Sequence, residues 1–265
     1  MRLTVTTWNI NSVRLRLDNI RRLVADQEPD VLCLQETKVV DELFPLEAFE
    51  EMGYRHNLVR GMKSYNGVAI LSRRTIAHGE YVGWCGKSDC RHAVATVDGM
   101  EIHNFYVPAG GDIPDPKRNG KFAHKLHFLG ELAKVFGARR AERERPVVLV
   151  GDLNVAPLEN DVWSHKQLLN VVSHTPVETR LLGEAMAAFD WTDSTRHFIP
   201  ADKKIYSWWS YRAGDWRASD RGRRLDHVWV SPGLKGALHA HSIIKPMRGW
   251  QKASDHVPVM VELKL

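Results

Sequence analysis

The residues best suited to chemistry in this sequence are carboxylates and carboxamides at the ends of apolar, strand-like runs. One run ends in Trp8-Asn9-Ile10-Asn11, a second in Gln35-Glu36-Thr37-Lys38 and a third in Gly151-Asp152-Leu153-Asn154. A fourth run comes after Arg224-Leu225-Asp226-His227, and a fifth after Ser254-Asp255-His256. Any one of these groups could hold a turn or cap a helix. Five strand ends with the same chemistry indicate instead one functional edge.

Side-chain oxygens of this kind favour a hard divalent cation. Carboxylates and amide carbonyls are the ligands that suit Mg²⁺, with Mn²⁺ as an alternative. The sequence has no paired cysteines and no His-x-x-x-His or His-Glu-x-x-His pattern to indicate zinc. Cys85 and Cys90 lie near His92, but three ligands on one loop are too few for us to assign a metal there.

Strands and helices must position these side chains. Strands are predicted at residues 3–8, 31–34, 67–71, 101–107, 147–150 and 225–230, and alternation over 257–263 predicts an edge or half-buried strand. One predicted helix has apolar residues at Leu17, Ile20, Leu23 and Val24, and it ends before Pro29. A longer one has an apolar face made of Phe122, Leu126, Leu129, Leu132, Ala133 and Phe136.

This order of elements predicts an α+β fold with two packed β-sheets and helices outside them. A single domain over residues 1–265 is expected, because no repeat, linker or composition boundary interrupts the chain. The balanced composition excludes collagen, coiled coil and wholesale disorder. The short apolar runs, the absence of a signal sequence and the three cysteines predict a cytoplasmic protein that does not enter a membrane.

Positive charge is concentrated near the C-terminus. The formal net charge is +5, but residues 201–265 alone contain 12 Lys and Arg against 6 Asp and Glu. The same segment holds five of the nine tryptophans. Basic residues interleaved with aromatics suit a polyanion whose bases or sugars can stack, which favours nucleic acid as the partner. A solvated basic face beside core tryptophans is an equally good interpretation of charge alone.

The sequence resembles the exonuclease III class of apurinic/apyrimidinic (AP) endonucleases. Seven motifs, in that family's order, carry the resemblance: Trp8-Asn9-Ile10-Asn11, Leu34-Gln35-Glu36-Thr37-Lys38, Gly67-Val68-Ala69-Ile70, Tyr106-Val107-Pro108, Gly151-Asp152-Leu153-Asn154-Val155-Ala156-Pro157, Arg224-Leu225-Asp226 and Ser254-Asp255-His256. Gly-Asp-x-Asn and Ser-Asp-His mark only the wider endonuclease/exonuclease/phosphatase superfamily. Segments 35–38, 207–212 and 220–226 narrow the resemblance to its DNA-repair branch.

The resemblance implies a four-layer α/β sandwich and a Mg²⁺-dependent phosphodiesterase. It implies catalytic roles for Tyr106, Asp152, Asn154, Asp226 and His256. The implied metal ligands are Asn9, Glu36, Asp152, Asn154, Asp255 and His256. Asp226 would orient the ring of His256, and either Asp152 or His256 would activate the water.

The resemblance also implies a partner, double-stranded DNA with abasic sites or 3′ ends. The expected DNA contacts are Asn11, Lys38, Arg91, Trp208 and Arg212, whereas Trp209 is better explained as a core residue. Two segments depart from the family pattern. Ala109 replaces an amide side chain common in relatives, and residues 81–92 match poorly and are expected to form a variable loop.

The sequence leaves two other functions open. The same fold could act on RNA or another phosphodiester, or it could be a catalytically inactive nucleic-acid-binding module. The inactive module is disfavoured, because none of the eight motif residues is missing: Asn9, Glu36, Tyr106, Asp152, Asn154, Asp226, Asp255 and His256. A monomer needs no further assumption.

Overall fold

Two six-stranded β-sheets lie face to face in the computed structural model, which describes residues 2–265. The strands are β1 (Arg2–Asn9), β2 (Val31–Gln35), β3 (His56–Arg60), β4 (Val68–Ser72), β5 (Ile76–Tyr81), β6 (His92–Val97), β7 (Met100–Tyr106), β8 (Val147–Asp152), β9 (Thr192–Asp193), β10 (Trp208–Trp209), β11 (Gly222–Arg223), β12 (Asp226–Val230), β13 (Leu238–Ile243) and β14 (Val259–Lys264). The first sheet has the order β13-β14-β1-β2-β4-β3 and the second β5-β6-β7-β8-β12-β9, while β10 and β11 form a separate pair.

Helices cover the outer face of each sheet. The α-helices are α1 (Leu17–Gln27), α2 (Leu46–Glu51), α3 (Gly120–Ala138), α4 (His165–Leu168), α5 (Pro176–Ala188), α6 (Ser194–Phe198) and α7 (Trp216–Ser219). Of these, α1 and α2 pack on the first sheet, and α3 and α5 pack on the second. Short 3-10 helices occur at Asp41–Leu43, Arg140–Glu142, Glu159–Asp161, Pro232–Ala237 and Lys245–Gly249. Among residues 2–265, no helix combines the length and apolar character that crossing a bilayer requires.

Alternation along the strands builds the four layers. In β2, Val31 and Cys33 point into the core between the sheets, whereas Leu32 and Leu34 point to the helix side. The same period of two in β8 sends Val148 and Val150 inward and leaves Val147 and Leu149 to contact α3 and α5. β2 and β8 therefore bury both of their faces, which explains their nearly continuous apolar runs in the sequence.

The functional strand ends meet at one edge of this sandwich. β1 pairs parallel with β2, and β7 pairs parallel with β8, so the carboxyl ends of each pair lie together in their own sheet. A hydrogen bond from Asn9 at the end of β1 to Asp152 at the end of β8 shows that both pairs end at the same edge. β12 runs antiparallel to β8 and begins where β8 ends, with Asp226 directly opposite Asp152. β14 runs antiparallel to β1, so its amino end, preceded by His256, reaches the same edge.

Gly151 makes the last step of β8 possible. Its φ of 142° is unfavourable for other residues, and a Cβ there would lie 1.9 Å from the carbonyl oxygen of Phe105. This close approach of β7 and β8 places the ends of the two strands, Tyr106 and Asp152, opposite each other. Residue 151 must therefore be glycine for the edge to form.

The predicted α+β sandwich with two mixed sheets and outer helices is confirmed. Three details of the sequence analysis differ. The strand predicted over 257–263 is half-buried by alternation, one of the two alternatives expected, but it lies between β13 and β1 and not at an edge. Half-buried Leu126 does not occupy the fully buried face of α3, because neighbouring Lys125 does, paired with Glu178 at 2.5 Å. Strands β3, β5, β6 and β13 were not predicted, since three of them are mostly half-buried or exposed and carry little periodic signal.

Candidate active site

Glu36 lies at the centre of the edge, immediately after β2. Asn9 Nδ2 donates to Glu36 Oε1 at 2.8 Å, and the hydroxyl of Tyr106 donates to the same oxygen at 2.9 Å. The ammonium of Lys38 lies 2.7 Å from the other carboxylate oxygen. Although burial opposes ionisation, the charge of Lys38 and the hydrogen bonds from Asn9 and Lys38 lower the pKa of Glu36. Glu36 is therefore an ionised carboxylate held in a fixed orientation.

Asp152 links the two sheets. Asn9 Nδ2, from the first sheet, donates to Asp152 Oδ2 at 2.9 Å, and Asn154 Nδ2 donates to the same oxygen at 3.1 Å. The backbone N–H of Asn154 donates to Asp152 Oδ1 at 2.9 Å. Burial raises the pKa of Asp152, and the negative charges of Asp226 and Glu36 raise it further, against the opposing charge of His256. The result is a carboxyl group suited to exchanging a proton near neutral pH.

His256 and Asp226 form a buried pair beside Asp152. His256 Nδ1 lies 2.8 Å from Asp226 Oδ2, and His256 Nε2 lies 3.7 Å from Asp152 Oδ2. Burial alone would lower the pKa of His256, but the carboxylates of Asp226 and Asp152 raise it above the ordinary range. The imidazole therefore favours its protonated, cationic form. The backbone N–H groups of Leu225 and Asp226 both donate to Ser207 Oγ at 3.0 Å, which fixes the start of β12.

Asp255 lies on the rim of the site. Asn11 Nδ2 donates to one of its carboxylate oxygens at 3.0 Å, and Trp208 Nε1 donates to the other at 3.0 Å. Lys38 Nζ donates to Asn11 Oδ1 at 2.6 Å, so the rim is connected to Glu36 through Lys38. Although burial opposes ionisation, the charge of His256 and the hydrogen bonds from Asn11 and Trp208 lower the pKa of Asp255.

Several backbone conformations at this edge are unusual. Asn11, Glu36, Lys38 and Asn154 all have φ between 47° and 54°, in the left-handed region. This region costs energy for a residue with a side chain, and the cost is smaller for Asn11 and Asn154, because asparagine tolerates it better than glutamate or lysine does. Such residues cluster where function requires a particular side-chain direction. Here the turn after each strand directs a polar side chain back across the edge.

The edge opens into a cleft of about 660 Å³. Side chains from both the polar cluster and the rim line it, among them Glu36, Asp152, Asn154, Trp208, Arg212, Asp255 and His256. Arg91 lies beside Tyr106, with its guanidinium 4.9 Å from the centre of the phenol ring, and it pairs with Asp89 at 2.5 Å. Trp209 is 1% exposed and belongs to the core, as its sequence context predicted. The remaining expected DNA contacts, Asn11 and Lys38, lie at the rim already described.

Sequence reasoning missed three residues that shape this cleft. Lys125 Nζ donates to the carbonyl of Asn154 at 2.7 Å, and its charge is balanced by fully buried Glu178 at 2.5 Å. Arg223 stacks over Trp208 at 5.1 Å and donates to Ser173 Oγ at 2.7 Å. Lys125 gave only the weak signal of a lysine beside an apolar helix face, and Arg223 was one basic residue among several.

The donor set fits a hard divalent cation. Four carboxylates, Glu36, Asp152, Asp226 and Asp255, lie together at this edge, where Lys38 pairs with Glu36 and His256 lies between Asp152 and Asp226. Asp226 Oδ1 is buried without a hydrogen-bond partner in the structure. Asp152, Asp226 and His256 present ligand atoms within 4.8 Å of one another. This concentration of oxygen ligands is the chemistry expected of a site for a hard divalent cation.

Residues 6–256 match the model of the endonuclease/exonuclease/phosphatase family. The chain is 31% identical to an exodeoxyribonuclease from Bacillus subtilis, over 96% of each chain. It is 29% identical to exodeoxyribonuclease III from Haemophilus influenzae, over 97% of this chain and 98% of the other.

Two solved structures share the fold over the whole chain. An AP endonuclease from Archaeoglobus fulgidus superposes with a TM-score of 0.92 at 30% identity, covering 99% of this chain and 100% of that one. A 3′ phosphatase from Neisseria, bound to a product DNA hairpin, superposes with a TM-score of 0.89 at 31% identity and the same coverage.

Proposed function

The chain belongs to the endonuclease/exonuclease/phosphatase family, and we propose that it is a Mg²⁺-dependent DNA repair nuclease of the exodeoxyribonuclease III type. It cleaves duplex DNA on the 5′ side of abasic sites and removes nucleotides or phosphate from 3′ ends. One observation carries this proposal. The ends of the two sheets bring Glu36, Asp152, Asn154 and a His256–Asp226 pair into one cleft whose rim carries Trp208 and arginines.

Glu36 and Asp152 would hold the cation, with Asn9, Asn154 and Asp255 as the further candidates. His256 would join them only after it loses its proton, because an imidazolium has no lone pair for a metal. When bound, the cation neutralises charge on the phosphate and on the leaving 3′-oxygen. The unpaired Oδ1 of Asp226 and the four carboxylates gathered at this edge support this assignment. Lys38 already contacts Glu36 and would remain near the phosphate that enters.

Asp152 accepts the proton of the attacking water. Its raised pKa supports this role, because a general base works best when its pKa lies near the working pH. Asn9 and Asn154 hold its carboxylate in position by three hydrogen bonds. His256, kept cationic by Asp226, contacts a phosphoryl oxygen as charge develops there. The amide of Asn154 and the hydroxyl of Tyr106 are uncharged groups that can donate hydrogen bonds to the phosphate.

The rim selects the substrate. Trp208 presents a half-buried indole to the cleft, against which a flipped abasic sugar can pack. A sugar without a base leaves the stack at low cost, so an apolar wall can select it without reading a base. Arg212, Arg91 and Asn11 contact backbone phosphates, which position the duplex without sequence preference. Because both sheets contribute to the site, residues 1–265 act as one domain, and one monomer suffices for it.

A duplex with a single tetrahydrofuran abasic analogue, labelled at its 5′ end, tests this function. We expect incision immediately 5′ of the analogue with Mg²⁺, no incision with EDTA, and further 3′ trimming of the product. A matched duplex ending in a 3′-phosphate measures phosphatase activity under the same conditions, and a matched RNA duplex serves as the control. Intact DNA alongside cleaved RNA would assign the site to a different phosphodiester.

A further inference from the structure

A second group of metal-ligating side chains lies on the outer face of the second sheet. Cys85 belongs to the loop between β5 and β6, while His127 and Glu131 are one turn apart on α3. The thiol, imidazole and carboxylate ligand atoms all lie within 4.8 Å of one another. None of the three residues lines the catalytic cleft. We propose that Cys85, His127 and Glu131 form a binding site for a thiophilic divalent cation of the Zn²⁺ class.

The ligand types separate this site from the catalytic one. Zn²⁺ binds cysteine sulfur, histidine nitrogen and carboxylate oxygen in tetrahedral geometry, whereas Mg²⁺ requires oxygen ligands. Three protein ligands leave a fourth position for water, an arrangement common at zinc sites that are not purely structural. His127 and Glu131 face the same direction because residues four apart share one side of a helix.

The cluster is held in position before any ion binds. The backbone N–H of Cys85 donates to Glu131 Oε2 at 2.7 Å, which joins the loop to the helix. The neighbouring residue, Trp84, is buried and stacks on Phe128 of α3 at 5.1 Å. Since this hydrogen bond and this ring packing fix the loop against α3, little reorganisation is needed for an ion to bind.

The other thiol and imidazole of the loop do not join this cluster. Cys90 Sγ lies 3.6 Å from the carbonyl oxygen of Gly61, on a different side of the loop. Both ring nitrogens of His92 are occupied, one by Trp84 and the other by His103. The grouping of Cys85, Cys90 and His92 considered from sequence is therefore not a site, since Cys85 has its partners on α3.

Binding would involve proton release from the thiol. Burial and the nearby carboxylate of Glu131 raise the pKa of Cys85 to about 12, so the free thiol is protonated at neutral pH. A cation that binds the sulfur replaces that proton. The bound ion would tie the loop to α3, and the same loop carries Asp89 and Arg91 next to Tyr106.

Cobalt(II) titration of the full chain, in excess Mg²⁺ to occupy the oxygen-ligand site, tests the proposal. We expect a near-ultraviolet thiolate-to-cobalt absorption band at one equivalent, which Zn²⁺ abolishes by displacement. The Cys85→Ser variant should lose this band, and His127→Ala, a change at an exposed residue, should weaken Co²⁺ binding at least about tenfold. The matched control Cys90→Ser should keep both band and affinity.

Two results would overturn the site. One is the absence of a thiolate band at millimolar Co²⁺, with the protein shown to be folded by circular dichroism. The other is a band that survives Cys85→Ser or disappears in Cys90→Ser, which would move the thiol ligand elsewhere. His127→Ala keeps the test decisive even if Cys85→Ser disturbs the loop.

Discussion

Two buried histidine–carboxylate clusters in this protein favour opposite charge states. At the catalytic edge, His256 faces Asp226 and Asp152, with Asp255 nearby, and its pKa is raised. Beneath α3, His103 lies between His92 and Glu101, and burial lowers its pKa although Glu101 opposes the effect. Burial disfavours the imidazolium in both places. The difference shows that the number of unneutralised carboxylates, and not burial, decides which histidine is charged.

The two clusters also differ in how completely their hydrogen bonds are satisfied. Trp84 can only donate, so His92 accepts through Nδ1, and each subsequent N–H donates onward to His103 and then to Glu101. Arg139 neutralises the final carboxylate at 2.7 Å. We call this the closed cluster, because each of these ring nitrogens and the final carboxylate has a partner. The catalytic cluster is the open cluster, because Asp226 Oδ1 is unpaired and the cluster borders the cleft. We therefore infer reactivity at the first cluster and structural support at the second.

Replacing Asp152, the central carboxylate of the open cluster, should have the largest effect on DNA cleavage. Asp152→Asn nearly preserves size but removes the charge that would accept a proton. We expect the turnover number on an abasic duplex to fall about 10³-fold, with duplex binding retained. Single-turnover cleavage and a binding titration measure the two quantities. Unchanged cleavage would remove Asp152 from the mechanism, and Glu101→Gln, in the closed cluster, is the control expected to cleave normally.

Removing a carboxylate beside His256, so that this histidine favours the neutral form as His103 does, should have the next largest effect on cleavage. Asp226→Asn removes the first of the carboxylates that raise the pKa of His256, so burial is opposed less and that pKa falls. His256 then loses its proton at a lower pH. The decline of the turnover number at alkaline pH therefore begins at a lower pH. We expect a loss of about 10²-fold at pH 8 and a smaller loss at pH 6. Turnover numbers between pH 6 and 9 measure this, and a uniform loss at every pH would contradict the assigned role.

Interrupting the closed cluster should change stability and leave chemistry intact. His103→Leu leaves the N–H of His92 and the carboxylate of Glu101 without their partner. We expect the free energy of unfolding to fall by about 1–3 kcal/mol, with an unchanged turnover number. Urea denaturation and the cleavage assay are measured on the same sample. A parallel loss of turnover would mean that the closed cluster is coupled to catalysis.

The smallest expected effect is a pH dependence of stability at Glu101. Although burial opposes ionisation, His103 and Arg139 lower the pKa of Glu101 from 4.5 to about 2. A lowered folded-state pKa stabilises the protein above pH 4.5, and this contribution is lost as the pH falls toward 2. Because Glu101 is partly exposed, we expect only about 1 kcal/mol. Glu101→Gln should be less stable than the parent at pH 6, with the difference shrinking by pH 3; a difference independent of pH would exclude ionisation as its cause.

Much of the edge could be predicted from sequence because its signals are local. The strands that end at Asn9, Gln35 and Asp152 contain apolar runs that can be recognised in the sequence. The carboxylates lie at or directly after those strand ends. The order of motifs then predicts which family's chemistry they serve. Lys125 and Glu178 could not be paired in this way, since nothing in either segment indicates the other. The partners of Cys85 were missed for the same reason.

The sequence by itself determined the strand faces, the α+β class and the chemical types at the strand ends. Those properties depend on periods of two or 3.6 residues and on the residue types immediately after each run. Only the tertiary structure decided that Asn9 bonds to Asp152, 143 residues away, and that Asp226 lies opposite Asp152. Strand order and register set these contacts, and both depend on packing of the whole chain, which no local pattern contains.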